Sequence, residues 1–456
     1  MNPRIHRGAG RRRVAGLVAE GSTRRRARVP RHCGLGDEQP GRLISVTQME
    51  IGRGKSGRRA YALDEIGIVP SRRTRRPEDV SIAWQIDAYR FELPLVTAPM
   101  DSVVSPATAI AIGKLGGLAV LDVEGMWTRY DDPEPLLAEV AALDDAAATA
   151  RLQQIYAEPI KDDLIGQRIS EIRKAGVTIA ARLSPQRTLK YHKAVIDAGA
   201  DFFVIRGTTV SAEHVSSQAE PLNLKHFIYE LDVPVIVGGC ATYTAALHLM
   251  RTGAAGVLVG FGGGSGQTTA AVLGVKVPMA SAIADVAAAR REYLDESGGR
   301  YVHVIADGGM TRSGDIAKAL ALGADAVMVG SPIARAAEAP GRGYHWGSEA
   351  HHPELPRGNR LRVGTIGTLA QIVHGPSTVA DGSMNLMGAL RRTMATSGYS
   401  DLKEFQRVEV TVTPGAPQPP PVPPPVPSVP PPVHPPLPSP VHRPPGTAAG
   451  PAAPAR

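Results

Sequence analysis

Eight short apolar runs punctuate the middle of the chain, and each ends in small or polar residues. They are LPLVTAPMD (93–101), GLAVLDVEG (117–125), VTIAARLSP (177–185) and DFFVIRGTT (201–209), followed by VPVIVGGCAT (233–242), GVLVGFGGG (256–264), YVHVIADGG (301–309) and AVMVGSPIA (326–334). They are rich in Val, Ile and Leu and nearly continuous, the pattern of strands buried on both faces. Helical patterns lie between them. Ser105-Pro106, ahead of ATAIAIGKLGG, has the form of an N-cap followed by Pro at the first helical position. Thr242 and Ser313 are expected to cap the helices of TYTAALHLMRTG and GDIAKALALG, and Gly253 and Gly323 fall where helix-terminating glycines belong. Strand-helix alternation repeated eight times predicts a (β/α)8 TIM barrel in preference to a doubly wound open sheet.

In a barrel the strand C-termini gather at one mouth, and sites are built there. The polar residues at those ends are Asp101, Arg206, Cys240, Ser265, Asp307 and Ser331. Three ends are also glycine-rich: GFGGGSG (260–266), ADGG (306–309) and VGS (329–331). Glycine lets backbone amides approach an anion closely, and late barrel strands often bind phosphate in this way. Ser265 and Ser331 can add hydroxyl donors. Asp307 is a poor partner for phosphate but can accept from two vicinal hydroxyls. Phosphate plus diol describes a ribose 5′-phosphate, hence a nucleotide.

Composition divides the chain into three: an Arg-rich extension (1–48), the alternating region (49–413) and a Pro-rich tail (414–456). The net charge of +8 resides in residues 1–48, which hold eleven Arg against Glu20, Asp37 and Glu38. The rest is neutral, so the folded region gives no support to nucleic-acid binding. The arm is expected to be disordered, or to precede a natural start at Met49. The tail carries 20 of the 40 prolines and is expected to be extended and disordered. Two cysteines, Cys33 and Cys240, make neither a disulfide framework nor a zinc spacing, so a reducing cytoplasm is the expected compartment. No apolar run approaches the ~18 residues of a membrane span.

The motifs APMDSV (98–103), GxGxGSxxTT (260–269), ADGGxxxSGDIAKAL (306–320) and GADAVMVGS (323–331) resemble IMP dehydrogenase and GMP reductase, over roughly Tyr61 to Tyr399. Bacterial IMP dehydrogenase-related proteins lacking CBS domains are the most similar group, since the span 126–176 is too short for a CBS pair. The resemblance implies a purine 5′-monophosphate bound beside NAD or NADP, guanine-nucleotide metabolism and a homotetramer. It puts Ser265, Gly309, Gly330 and Ser331 on the phosphate, Asp307 on the ribose diol, Met100 against the purine and Gly308 among the residues that bind the substrate. Thr268 matches the threonine beside the catalytic nucleophile. Gly260, Gly262 and Arg206 fall on the cofactor side, where Arg206 stands in place of a ribose-binding aspartate and suits a 2′-phosphate. Potassium is implied at the backbone of loop 262–267. Gly388, in NLMGALRRTMATSGY, matches a stretch near the C-terminal flap.

The departures concern chemistry. The family's nucleophilic cysteine, which forms an adduct at purine C2, is Gln267 here, and Gln cannot attack carbon. Cys240 replaces an asparagine after the fifth strand and is the candidate substitute thiol. The family's flap Arg-Tyr pair has no clear counterpart in PRGNRLRVGTIG (356–367). Two readings follow: an oxidoreductase with altered chemistry, or a catalytically degenerate regulator that binds IMP or GMP.

Overall fold

The computed structural model describes residues 48–215, 221–261, 263–264, 268–352, 358 and 360–413. The Arg-rich arm up to residue 47 and the Pro-rich tail, both expected to be disordered, and the assignments to Gly262, Ser265 and Gln267 lie outside the described residues. Loop 262–267, where the resemblance implies potassium, is for that reason only partly described. Gln48–Gly52 and Lys55–Arg58 form an antiparallel hairpin in a unit ending at Arg59, and a second compact unit begins at Ala60.

All eight apolar runs become strands of one parallel sheet: β1 Leu95–Thr97, β2 Ala119–Asp122, β3 Ile179–Leu183, β4 Phe202–Arg206, β5 Val235–Cys240, β6 Gly256–Val259, β7 His303–Asp307 and β8 Ala326–Val329. Each strand pairs with its sequence neighbours, and β8 pairs with β1. A parallel bridge between Val96 and Leu118 joins β1 to β2 and closes the barrel. Leu118 donates to Leu95 O at 2.9 Å, and the Thr97 hydroxyl accepts from the Val120 amide at 3.0 Å across the same seam. Closure leaves no free sheet edge, and it brings all eight C-terminal ends to one mouth.

The helices that follow the strands are α1 Pro106–Lys114, α2 Glu134–Ala142, α3 Asp145–Ala157, α4 Asp162–Lys174, α5 Pro185–Asp197, α6 Leu224–Tyr229, α7 Tyr243–Arg251, α8 Thr269–Leu273, α9 Met279–Glu296 and α10 Ser313–Ala321. Helix α4 shows the reason for its packing. Leu164, Ile165, Ile169 and Ile172 recur at helical spacing and are buried, whereas Asp162, Asp163 and Lys174 sit at its termini with the sign the helix dipole favours. Ser105 caps α1 as expected, accepting from the Thr108 amide at 3.1 Å, and Thr242 caps α7 through the Ala245 amide at 3.3 Å. Ser313 does not cap α10. Arg312 holds that position, and Asp315 accepts its amide at 3.1 Å, so Ser313 becomes the first helical residue. Gly253 and Gly323 follow their helices at φ +98° and +115°.

The opposite mouth is plugged by the hairpin Trp84–Ile86/Tyr89–Phe91. Trp84 stacks on Phe91 with ring centroids 5.5 Å apart, and Phe91 reaches Phe202 at the start of β4. Beside this plug a buried charge cluster forms around Asp325, which takes Arg290 at 2.7 Å, Lys403 at 2.5 Å and the Tyr301 hydroxyl at 2.7 Å. Among the described residues no helix is long and apolar enough to cross a membrane.

Candidate functional site

Two clefts open among the C-terminal strand ends. The first is lined by Met100, Asp307, Gly308, Gly309, Gly330 and Ser331, with His345 at its side. The second is lined by Asp122, Arg182, Thr208, Ser348 and Glu349. Met100 and Arg206 line both and form the wall between them.

Glycine is required where the late strand ends meet. Gly308 and Gly309 follow β7 at φ +107° and +79°, conformations that side chains disfavour. A Cβ on Gly308 would come within 3.3 Å of the Gly264 amide nitrogen, so the turn after β7 lies directly against the loop after β6. The residues assigned from sequence to the diol and phosphate thus share one cleft with Met100, as far as they are described. Gly260, at the end of β6, contacts Asp307 backbone and Met279 and is not among the residues lining either cleft. Gly388 lies in a helix, Leu386–Thr396, and also lines neither.

Arg206 and Asp307, assigned separately to cofactor and ribose, meet each other. Arg206 Nε lies 2.8 Å from Asp307 Oδ2, and both side chains are nearly buried. Arg206 is itself held from behind, because Arg182 Nη2 donates to its carbonyl at 2.8 Å. Arg182 in turn pairs with Asp122 at 3.0 Å. Burial alone would weaken the positive charge of Arg182, but Asp122 and Glu124 more than offset it. Both arginines are therefore paired, Arg182 with Asp122 and Arg206 with Asp307, and Arg206 is the one that lines both clefts.

Thr268, the described residue nearest the position of the missing nucleophile, is bound by a carboxylate that sequence reasoning missed. Glu349 Oε2 accepts from the Thr268 hydroxyl at 2.7 Å and from the Thr268 amide, and Oε1 accepts from the Thr269 hydroxyl at 2.7 Å. Glu349 is 6% exposed. It lies 81 positions away in a segment without periodicity, so no local pattern marks it.

Below Met100 lies a second network absent from the sequence reading. Asp101 Oδ2 accepts from the Met126 amide at 2.8 Å and from the Tyr156 hydroxyl. Burial, then the nearby Asp122 carboxylate, pushes the Asp101 carboxyl up to about 7. His345 is also buried, which pushes its imidazole down to about 4 and keeps it neutral beside the first cleft. Cys240 ends β5 as expected, but its side chain is buried, and burial pushes the thiol up to about 12. A thiol so protonated is no nucleophile, and Cys240 lines neither cleft, which removes the support for its role as a substitute. Among the described residues no group of three or more His, Cys, Asp or Glu is arranged to hold a metal ion.

Comparison with known proteins agrees with this geometry. The model of the IMP dehydrogenase / GMP reductase domain matches residues 60–352. An uncharacterised oxidoreductase of Mycolicibacterium smegmatis is 55% identical, over 80% of this chain and 99% of its own length. The inosine-5′-monophosphate dehydrogenase of Methanocaldococcus jannaschii is 26% identical, over 78% of this chain and 93% of its own. A crystal structure of an IMP dehydrogenase/GMP reductase-like protein from Corynebacterium glutamicum superposes with a TM-score of 0.76 at 51% identity, covering 80% of this chain and 97% of that one.

Proposed function

This chain belongs to the IMP dehydrogenase / GMP reductase family, and we propose that it is an oxidoreductase that binds a purine nucleoside 5′-monophosphate in the first cleft and a nicotinamide dinucleotide in the second. The observation that carries the proposal is the juxtaposition of Asp307, Gly308, Gly309, Gly330 and Ser331 around one cleft. The carboxylate suits ribose hydroxyls, and the glycine-rich turns and the Ser331 hydroxyl suit a phosphate. Met100 packs against the purine.

The second cleft fits a dinucleotide by the chemistry of its donors. Arg206 supplies a cation for a phosphate, and Thr208 and Ser348 supply hydroxyls. Arg206 in place of an acidic residue favours NADP over NAD, since an acidic residue would repel a 2′-phosphate. The dinucleotide, when bound, accepts or supplies a hydride. The chain's own part in the chemistry is proton transfer. Glu349 holds the Thr268 hydroxyl as an acceptor, so a proton leaving a reacting atom passes to Thr268 Oγ1 as Thr268 yields its own to Glu349. Guanine-nucleotide metabolism, a cytoplasmic location and a homotetramer complete the proposal, and these rest on the family alone.

A specific observation favours a second reading. Gln267 holds the nucleophile's place, and the described thiol, Cys240, is buried and protonated. A nucleotide-binding regulator that no longer turns over fits that chemistry. One experiment separates the readings: calorimetry with IMP, XMP and GMP, followed by NAD(P)H absorbance with each. Binding with turnover in either direction supports the oxidoreductase. Binding without turnover supports the regulator, and no binding overturns both.

A further inference from the structure

The helical pair α2 and α3 occupies the connection between β2 and β3, ahead of α4. It is connected by several contacts to the strap of residues 342–352 that carries Glu349. At one end Arg342 Nη2 lies 2.8 Å from Glu134 Oε2. At the other, Gln153 Nε2 donates to the His352 carbonyl at 3.0 Å. Arg360, buried just beyond the strap, donates to the carbonyls of Val140 and Leu143.

Tyr156 sits at the centre of these contacts. Its ring stacks on His351, with centroids 3.5 Å apart and planes 4° apart. Its hydroxyl donates to Asp101 Oδ2 and accepts from Trp346 Nε1 at 3.2 Å. Asp101 follows β1, and the adjacent Met100 separates the two clefts. One hydroxyl therefore joins the barrel wall to the strap. The barrel side makes a second attachment at the same residue, where the Ser102 hydroxyl accepts from the Trp346 amide at 3.2 Å and donates to the Trp346 carbonyl at 3.1 Å. Trp346 is thus pinned through both its backbone and its ring. Three residues later comes Glu349, after a close pass at Gly347 where a Cβ would meet Met100 Cε at 3.3 Å.

We infer that Tyr156 is a positioning residue: its hydroxyl, bridging Asp101 and Trp346, sets the strap so that Glu349 meets Thr268. Tyr156 lines neither cleft and acts only through the strap. A misplacement of about 1 Å in a proton acceptor is enough to cost roughly 100-fold in rate. The importance of Glu349 for chemistry rests on the proposed oxidoreductase reading, whereas its placement by Tyr156 does not.

The test is Tyr156→Phe in the full chain, which keeps the ring on His351 and removes only the bridging oxygen. Hydrogen–deuterium exchange is read by mass spectrometry on peptides covering Thr268–Leu273, 343–352 and α7. Exchange in the first two is expected to accelerate about tenfold, with α7 unchanged as the control for global opening. Trp346→Phe, which removes the Nε1 donor together with part of the buried indole, is expected to accelerate the same two peptides with α7 again unchanged, and carries the test should Tyr156→Phe not fold. Unchanged protection of Thr268–Leu273 in the folded variants, or equal acceleration in α7, overturns the inference. Where the wild-type protein turns over, Tyr156→Phe is expected to lower kcat at least tenfold with the nucleotide KM unchanged; an equal rise in KM overturns the positioning role. A wild type without turnover counts against the oxidoreductase reading, and the exchange measurement still decides this one.

Discussion

Arg206 Nε and Asp307 Oδ2 lie 2.8 Å apart, although 101 positions separate them in sequence. The ends of β4 and β7 are brought together at the mouth, so that Arg206, in the wall between the two clefts, is paired with a carboxylate that lines the first. A nucleotide whose ribose engages Asp307 must share that carboxylate with Arg206, and a phosphate that engages Arg206 draws it away from Asp307. The two clefts are therefore electrostatically coupled.

Asp307→Ala is expected to weaken binding of a purine monophosphate by about 10- to 100-fold, the equivalent of the ~1.5–3 kcal/mol of hydrogen bonds to a charged group. Calorimetry with the 2′,3′-dideoxy analogue should give a comparable loss on the wild-type protein and little further loss on the variant. Arg206→Gln should shift the two clefts in opposite directions, strengthening the monophosphate and weakening the dinucleotide. Parallel changes in both would contradict the coupling.

Glu349→Gln keeps the size of the side chain and its ability to accept from Thr268, but removes its basicity. Turnover, where present, should fall by roughly 10²- to 10⁴-fold, the range of a positioned acid–base group. Monophosphate affinity should change little, because Glu349 lines only the second cleft. Steady-state kinetics paired with calorimetry checks both parts, and a variant of wild-type rate would remove Glu349 from the chemistry.

Asp101 provides a pH signature. Its carboxyl is pushed from 3.8 up to about 7 in the folded protein, by burial and then by Asp122. The folded state holds a proton that the unfolded chain releases, so this contribution is complete below about pH 4 and is lost as pH rises to about 7. Asp101→Asn is neutral throughout and can still accept from the Met126 amide. Its melting temperature relative to wild type should therefore rise between pH 5 and pH 8 in scanning calorimetry. A constant difference across that range would refute the assignment.

Asp325 behaves in the opposite sense. Burial raises its pKa, but Arg290 and Lys403 outweigh burial and hold the carboxyl at about 2. Its contribution is present above about pH 4 and lost as pH falls towards 2. Asp325→Asn strands the buried Arg290 without its counter-charge, which is expected to cost about 3–5 kcal/mol. Urea unfolding at pH 7 measures this, and a loss below about 1 kcal/mol would show that Arg290 finds another partner.

The hydrophobic pattern alone determined the barrel. Strands buried on both faces must be continuously apolar, and helices that cover them must be amphipathic, so eight such units are readable without any tertiary information. The glycine-rich ends and Asp307 were readable for the same reason: a turn at positive φ or a close backbone approach leaves a local mark. The Ser313 expectation failed locally, because Arg312 already had Asp315 to satisfy its amide. What the chain did not reveal is which ends meet. Glu349 joins Thr268, Tyr156 joins Asp101 to Trp346, and Arg206 closes on Asp307 instead of standing apart on the cofactor side. These contacts span 55 to 190 positions. Barrel closure and the crossing of the strap create them, and neither leaves a periodic trace in the residues it brings together.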